Sequence, residues 1–172
     1  TGLSDDCGAT GTETVTFTAT DECGNATSTT ATFTIEDTTN PTVDVASSDS
    51  TVECDGTSDP SGAFAAWLAN NGGASASDSC SGVTWTNDST GLSDDCGATG
   101  TETVTFTATD ECGNATSTTA TFTIVDTTNP TMDVAASDLI IQCDDDNSAE
   151  IDAWLATNGG ASASDACSDI TW

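Results

Sequence analysis

The chain has 172 residues and carries 29 carboxylate side chains but no lysine, arginine or histidine, which gives a formal net charge of −29. Nucleic acids and anionic membrane surfaces are held mainly through lysine and arginine, so this composition argues against both kinds of partner. Since two carboxylates about 5 Å apart repel by roughly 0.8 kcal/mol even in water, we expect cations to accompany the folded chain.

The sequence is an internal repeat. Residues 90–124 reproduce residues 1–35 letter for letter, an offset of 89. A second match aligns residues 52–85 with residues 141–172, the later copy being two residues shorter. We therefore predict three segments. They are the back half of one repeat (1–37), a complete repeat (38–126) and the front half of the next repeat (127–172).

The first predicted element is the β-hairpin VTFTATDECGNATSTTATFTIED at residues 15–37, which returns at 104–126 with one change. Apolar side chains alternate with threonine along both strands, a pattern typical of a sheet with one buried face. In the second copy these apolar residues are Val104, Phe106, Ala108, Ala120, Phe122 and Ile124. Threonine is β-branched and keeps a hydroxyl for water, which suits the other face.

Between the hairpins we predict strands in STVEC (50–54) and GVTWTND (82–88), with one short helix between them. Asp59 is a suitable N-cap and Pro60 suits the first turn, while Phe64, Trp67 and Leu68 share a face. The later copy repeats that face as Ile151, Trp154 and Leu155. The expected fold is mainly β, one immunoglobulin-like Greek-key sandwich with a short helix per repeat.

Eight cysteines without a CxxC pair or histidine favour disulfides over zinc and indicate an oxidising compartment. The strand after Cys80 and the strand before Cys112 should be antiparallel neighbours, which brings those two cysteines to one pole. We predict the pairs Cys54–Cys96 and Cys80–Cys112, with sequential pairing as the alternative. By the same reasoning, Cys143 and Cys167 would pair with Cys7 and Cys23 of the next copy.

The segments DTTNP, TVEC, DSCSGVTWTND, VTFTATDECGN and STTATFTIED, in this order, resemble hyalin repeat (HYR) domains, most closely the HYR-like tandem repeats of surface adhesins in Bacteroidetes. The resemblance spans the whole chain. It implies an immunoglobulin-like fold and a role in cell-surface adhesion or matrix building outside the cell. It also implies O-glycosylation at Asp-Ser/Thr-X sequences, which would mark Thr38, Thr127, Ser50 and Ser89.

Strand directions predict that acidic residues converge where one repeat meets the next. At the first joint, around residues 37–41, the candidates are Asp5, Asp6, Asp37, Asn40, Asp78, Asp110 and Glu111. At the next joint they are Asp94, Asp95, Asp126 and Asn129. Hard oxygen ligands in such numbers suit Ca²⁺, which takes six to eight of them. The alternative is that these residues form ordinary turns, where Asp, Asn and Gly are favoured.

The residue types argue against an enzyme, because histidine, lysine, arginine and tyrosine are missing and the cysteines are expected in disulfides. We expect a structural repeat of an extracellular filament or adhesin stalk whose partners are neighbouring copies or repeats. These could be covalently in tandem, or separate subunits that complete each other by strand donation. We expect any export signal or membrane anchor to lie outside these residues.

Two alternative functions remain open at this stage. The first is a calcium-dependent glycan-binding module that stacks sugars on Trp67, Trp85, Trp154 and Trp172. The alternative for these four residues is that they belong to the hydrophobic core. The second is ice binding through the outward threonines of TETVTFTAT, which strand propensity explains equally well.

Overall fold

Ten β-strands and two short α-helices are formed by residues 2–143 and 146–172, the part of the chain that the computed structural model describes. The strands are β1 (Gly11–Thr20), β2 (Ala26–Ile35), β3 (Thr42–Val45), β4 (Ser50–Glu53), β5 (Ser75–Ser77), β6 (Val83–Asn87), β7 (Gly100–Asp110), β8 (Ala115–Val125), β9 (Thr131–Val134) and β10 (Ser162–Ser164). The helices are α1 (Ala63–Ala69) and α2 (Ser148–Ala156). The chain is therefore mainly β, as predicted.

The strands form one four-stranded sheet and three two-stranded sheets. β1 and β2 make an antiparallel hairpin, β3 pairs with β5, and β9 pairs with β10. The larger sheet has the order β4-β8-β7-β6, in which β4 runs parallel to β8 and β6 runs antiparallel to β7. The predicted antiparallel pairing of the strands next to Cys80 and Cys112 is thus confirmed.

The chain divides into two compact units that do not follow the repeat boundaries. The first unit comprises Thr1–Asp49, Trp67–Ser89 and Thr103–Thr121. The second comprises Ser50–Ala66, Thr90–Glu102 and Phe122–Trp172.

The core of the first unit is the apolar face of β7 and β8. Val104, Phe106 and Ala108 are completely buried, as the alternating pattern predicts. The Trp67 ring meets the Phe106 ring edge-on with the ring centres 5.2 Å apart, and its Nε1 donates to the Ser48 carbonyl at 3.0 Å. Gly72 adopts φ +63°, and an added Cβ would stand 3.1 Å from the Phe106 ring. A glycine is therefore required where the helix turns back over the core.

The core of the second unit contains apolar side chains of β8. Phe122 and Ile124 are buried, and the Phe64 ring lies 5.3 Å from the Phe122 ring. The Asp59 carboxylate accepts the Phe64 backbone N–H at 2.7 Å, so Asp59 caps α1 as predicted. The helix begins at Ala63 rather than at Pro60, because a 3₁₀ turn over Pro60–Gly62 contains Ser61 at φ +55°.

The front half of the later repeat reproduces part of the local structure of its counterpart: β9 pairs with β10 as β3 does with β5, and α2 corresponds to α1, whereas residues 139–142 and 170–172 form no strand. Trp154 Nε1 donates to the Ser137 carbonyl at 3.0 Å, which reproduces the bond of Trp67 to Ser48. Here, however, the apolar helix face stays open to solvent, with Ile151 49% and Leu155 58% exposed. The local motif therefore does not need a covered helix face in order to form.

Candidate functional site at the inter-repeat joints

The candidate site is the joint between successive repeats, and the chain contains two joints. We define the first joint as the loop 5–10, the turn 78–82, the turn 110–114 and Asp37. We define the second joint as the loop 94–99, the turn 165–168, Cys54 and Asp126. The first joint lies within the first compact unit and the second within the second unit, so each can be described by itself.

A disulfide crosses each joint. At the first joint Cys7 bonds Cys112, with Cα atoms 5.2 Å apart. At the second joint Cys54 bonds Cys167, with Cα atoms 6.0 Å apart. The sequence separations are 105 and 113 residues, both longer than the 89-residue repeat. Each disulfide therefore ties one repeat to the next, and the two bonds indicate an oxidising, non-cytoplasmic environment.

The predicted pairs Cys54–Cys96 and Cys80–Cys112 are wrong. The strand directions behind them are correct: Cys54 lies at the end of β8, where its N–H donates to the Val125 carbonyl at 2.8 Å. The mistake was to let each repeat close its own disulfides, since the turn that carries Cys167 comes from the next repeat to the same place. The predicted use of Cys167 and Cys7 in bonds to another copy is wrong for the same reason.

A close backbone contact accompanies each disulfide. Ala9 N–H donates to the Cys80 carbonyl at 2.9 Å, and Ala98 N–H donates to the Cys167 carbonyl at 2.8 Å. Gly8 and Gly97 precede these donors, both at φ +58°, and a Cβ on either would overlap that same carbonyl group. The two glycines were not singled out in the sequence, although each directly follows a cysteine.

The first joint brings together part of the predicted metal site. Oxygens of Asp37 and Asp78 and the Cys80 sulfur all lie within 4.8 Å of one another. Asp37 Oδ2 is buried and accepts no hydrogen bond, whereas Asp78 Oδ1 accepts the Cys80 N–H at 2.8 Å. Two carboxylates at this distance, one with an unsatisfied buried oxygen, could hold a cation.

Asp110 and Glu111 reach this joint through hydrogen bonds. Asn114 Nδ2 donates both to Asp110 Oδ2 at 2.8 Å and to the Asp37 carbonyl at 3.1 Å. Burial raises the pKa of Asp110, but hydrogen bonds from the Asn114 side chain and backbone outweigh it and hold the pKa below its ordinary value. Glu111 accepts the Gly8 N–H at 2.9 Å.

At the second joint, Asp126 forms a cluster with the sulfurs of Cys54 and Cys167. Both sulfurs belong to the disulfide, so this cluster offers a single carboxylate rather than a set of thiolate ligands. The remaining predicted ligands are exposed and belong to neither of the two clusters found among the described residues. They are Asp5, Asp6, Asn40, Asp94, Asp95 and Asn129.

Glu53 is a joint residue that sequence reasoning missed. Its carboxylate accepts the Thr127 N–H at 2.7 Å, the Thr127 hydroxyl at 2.9 Å and the Thr128 hydroxyl at 3.0 Å. The Thr127 backbone bond is the largest cause that lowers the pKa of Glu53. The signals available were an acid at the end of a predicted strand, Glu53, and the hydroxyls of the linker that follows the second hairpin.

The predicted glycosylation positions stay predictions. Thr38 and Thr127 are exposed, and Ser50 and Ser89 are half-buried. The Thr127 hydroxyl is already engaged by Glu53. Trp85 is half-buried in β6, while its repeat counterpart Trp172 is 63% exposed.

Comparison with known proteins adds no family to this description. No protein-family model and no curated protein matches the chain. Within the described residues, no helix is long and apolar enough to cross a bilayer.

Proposed function

We propose that the chain is a structural segment of an extracellular filament or adhesin stalk. Immunoglobulin-like repeats, similar to HYR repeats, follow one another and are stiffened at their joints by disulfides and calcium. The observation that carries this proposal is the position of the disulfides, both of which join residues more than one repeat apart.

Disulfides placed in this way limit how far the chain can be pulled. The shortest covalent path from end to end uses the Cys54–Cys167 bond and contains about 60 residues, or roughly 200 Å at about 3.5 Å per residue. The reduced chain of 172 residues could extend to roughly 600 Å. A load-bearing stalk benefits from this limit, because a repeat that unfolds under tension does not lengthen without restraint.

Force–extension measurement on single molecules held at both ends tests the proposal. The oxidised chain is expected to extend to about a third of the length reached after reduction. The double variant Cys7→Ser with Cys54→Ser should reach the full length without a reductant. Full extension of the oxidised wild-type chain would overturn the proposed load-bearing role.

Calcium is the second part of the proposal, and the buried Asp37 oxygen supports it. A hydrogen-bond acceptor without a partner is costly in a buried position, and a cation would satisfy it while reducing carboxylate repulsion. Asp37 and Asp78 would supply the hard ligands. The Cys80 sulfur is a soft ligand and a poor match for Ca²⁺.

Thermal unfolding of the oxidised chain tests the calcium part, first with calcium and then with excess chelator, both at high sodium chloride. Calcium at a hundred times its Kd should stabilise the fold by about 2.7 kcal/mol. Asp37→Asn should abolish the shift. Glu22→Gln, which removes one exposed charge from a hairpin turn, should keep it. Equal melting with calcium and chelator would refute the calcium part alone.

The glycan-binding alternative is less well supported. Trp67 packs against Phe106, and the Nε1 groups of Trp67 and Trp154 donate to backbone carbonyls. Those two indole rings therefore have structural roles, and a sugar-stacking surface would depend on the other tryptophans.

A further inference from the structure

We infer that a second copy of this chain docks head to tail on the first, and that two disulfides close the new joint. Cys96 of one copy bonds Cys23 of the following copy, and Cys143 of the first bonds Cys80 of the following copy. The inference deepens the proposed filament role and rests on it, because it names the partner of each joint.

The argument begins with repeat equivalence. The aligned repeats make four pairs of equivalent cysteines: Cys7 with Cys96, Cys23 with Cys112, Cys54 with Cys143, and Cys80 with Cys167. In the structure, Cys7 bonds Cys112, which is the equivalent of Cys23 in the next repeat. Likewise, Cys54 bonds Cys167, which is the equivalent of Cys80 in the next repeat. The same rule assigns a partner on a neighbouring repeat to every other cysteine.

At the first joint, Cys80 occupies the position that Cys167 holds at the second. The carbonyl groups of both accept an alanine N–H from the incoming loop, at 2.9 and 2.8 Å. Both turns are held by an aspartate that accepts the cysteine N–H at 2.8 Å, Asp78 in one and Asp165 in the other. Cys167 is bonded to Cys54, whereas Cys80 is a thiol. The first joint therefore lacks only the counterpart of Cys54 from the preceding copy.

At the second joint, Cys96 occupies the position of Cys7. The backbone N–H of each cysteine donates to the hydroxyl of the threonine three residues on, at 3.1 Å for Cys7 and 3.2 Å for Cys96. Cys7 is bonded to Cys112, whereas Cys96 is an exposed thiol. The second joint lacks the counterpart of Cys112 from the following copy, and Cys23 is that counterpart.

Cys23 is presented by the same turn as Cys112. Asp21 accepts the Asn25 N–H at 2.8 Å, and Asp110 accepts the Asn114 N–H at 2.8 Å. The turn is thus already shaped to receive a disulfide, although Cys23 is exposed as a thiol. Superposing the two joints by repeat equivalence gives one complete joint with two disulfides.

Exposed apolar residues mark the surface on which the neighbouring repeat docks, and a second copy supplies that repeat. Phe17 and Phe33 on β1–β2 are 59% and 62% exposed, while their equivalents Phe106 and Phe122 are fully buried. In the later front half, the exposed large apolar side chains are Met132, Val134, Leu139, Ile140, Ile141, Ile151, Leu155 and Trp172. The front half of one copy and the hairpin of the next together contain the parts of one whole repeat.

Bond formation requires an oxidant. Two thiols lose two protons and two electrons as their sulfur–sulfur bond forms. Oxidised glutathione accepts both and is cleaved to two molecules of reduced glutathione, so the reaction proceeds through thiol–disulfide exchange.

The test is to incubate the 172-residue chain with a mixture of oxidised and reduced glutathione and to separate the products by non-reducing electrophoresis. The expected result is a ladder of covalent multimers. Mass spectrometry after cleavage at acidic residues should find the Cys80 peptide linked to the Cys143 peptide. Those peptides differ in sequence from the Cys54 and Cys167 peptides, so this bond is identified without ambiguity.

The other bond needs variants, because the acid-cleavage peptide that contains Cys96, CGATGTE, is identical to the one that contains Cys7. The double variant Cys80→Ser with Cys143→Ser should still form the ladder, through Cys96 and Cys23 alone. Further replacement of Cys23 and Cys96 by serine should leave monomers. A wild-type chain that stays monomeric, or that forms Cys80–Cys80 links, would overturn the inference. If a wild-type chain that stays monomeric still shows the shortened extension under force, the proposed stalk function stands although the inference on the second copy fails.

Discussion

The hairpins β1–β2 and β7–β8 contain the same residues over 11–35 and 100–124 but lie in different environments. Their local structure is equal: the hydroxyls of Thr14 and Thr32 are 2.9 Å apart, as are those of Thr103 and Thr121. Their burial is not equal, since Phe17 is 59% exposed and Phe106 is fully buried. The hairpin is therefore specified by its own sequence, whereas its core depends on the residues that cover it.

The covering residues come from the front half of the same repeat. Residues 38–87 supply α1, β4 and β6, which contact or pair with β7 and β8. A hairpin alone is only marginally stable in water, because two strands bury little apolar surface. Because the two hairpins have identical sequences, comparing them distinguishes local strand pairing, which both show, from core formation, which only β7–β8 shows.

The largest expected effect comes from removing the buried aromatic ring of Phe106 from the core. Phe106→Ala should lower the free energy of unfolding by about 3–5 kcal/mol, because it removes a fully buried ring and leaves a cavity. Phe17→Ala is its matched control and should change stability by no more than about 0.5 kcal/mol in the monomer. Urea unfolding of both oxidised variants measures the difference.

Equal losses for the two variants would contradict the contrast between the hairpins. The comparison becomes sharper in the covalent multimers described above. There Phe17 should be covered by the preceding copy, and Phe17→Ala should become costly while Phe106→Ala stays costly.

A smaller effect is expected from acid, at the hairpin turns. The pKa of Asp110 lies below its ordinary value, as described above, and a side-chain hydrogen bond from Asn25 lowers the pKa of Asp21 in the same way. A carboxyl group with a lowered pKa in the folded state stabilises the fold above its ordinary pKa of about 4. That contribution is lost as the pH falls through the lowered value.

Melting temperatures of the wild type, Asp110→Asn and Asp21→Asn measured from pH 6 to pH 2 isolate this contribution, because all other carboxylates are shared. Asp110→Asn should destabilise the chain near neutral pH, and the difference from wild type should shrink in acid. Asp21→Asn should show a weaker trend, because its turn lies in the hairpin with the exposed apolar face. An Asp110→Asn difference that stays constant across this range would show that proton binding at Asp110 is not involved.

Most of the regular structure could be predicted from the residues. Period-two alternation located β7 and β8 and their buried faces, and Asp59 was correctly expected to cap the helix, although α1 begins four residues later, at Ala63. The strands β3, β5, β9 and β10 were missed: β5 and β10 are three-residue Ser-Ala-Ser segments, and each forms through pairing with β3 or β9, which are only four residues long. The 3₁₀ turn before α1 was also missed, since Ser61 at φ +55° is not a residue that normally signals such a conformation.

The joints were harder to predict for a different reason. Cys23 and Cys112 have identical neighbours, so sequence cannot distinguish a partner in the same repeat from one in the next. Asp37 and Asp78 were correctly expected to converge. Asp5 and Asp6 were included because they share a loop with Cys7, but that loop contacts the other turns of the first joint through the Cys7 disulfide and the backbone of Gly8 and Ala9.

The two disulfide-closed loops overlap, since Cys7–Cys112 and Cys54–Cys167 share residues 54–112. Any single break of the backbone between Cys7 and Cys167 therefore falls inside at least one closed loop. The two fragments remain covalently attached through a sulfur–sulfur bond. A protease that cuts once between Cys7 and Cys167 nicks the chain without severing it, and two cuts at suitable places are needed before any piece of that stretch is released.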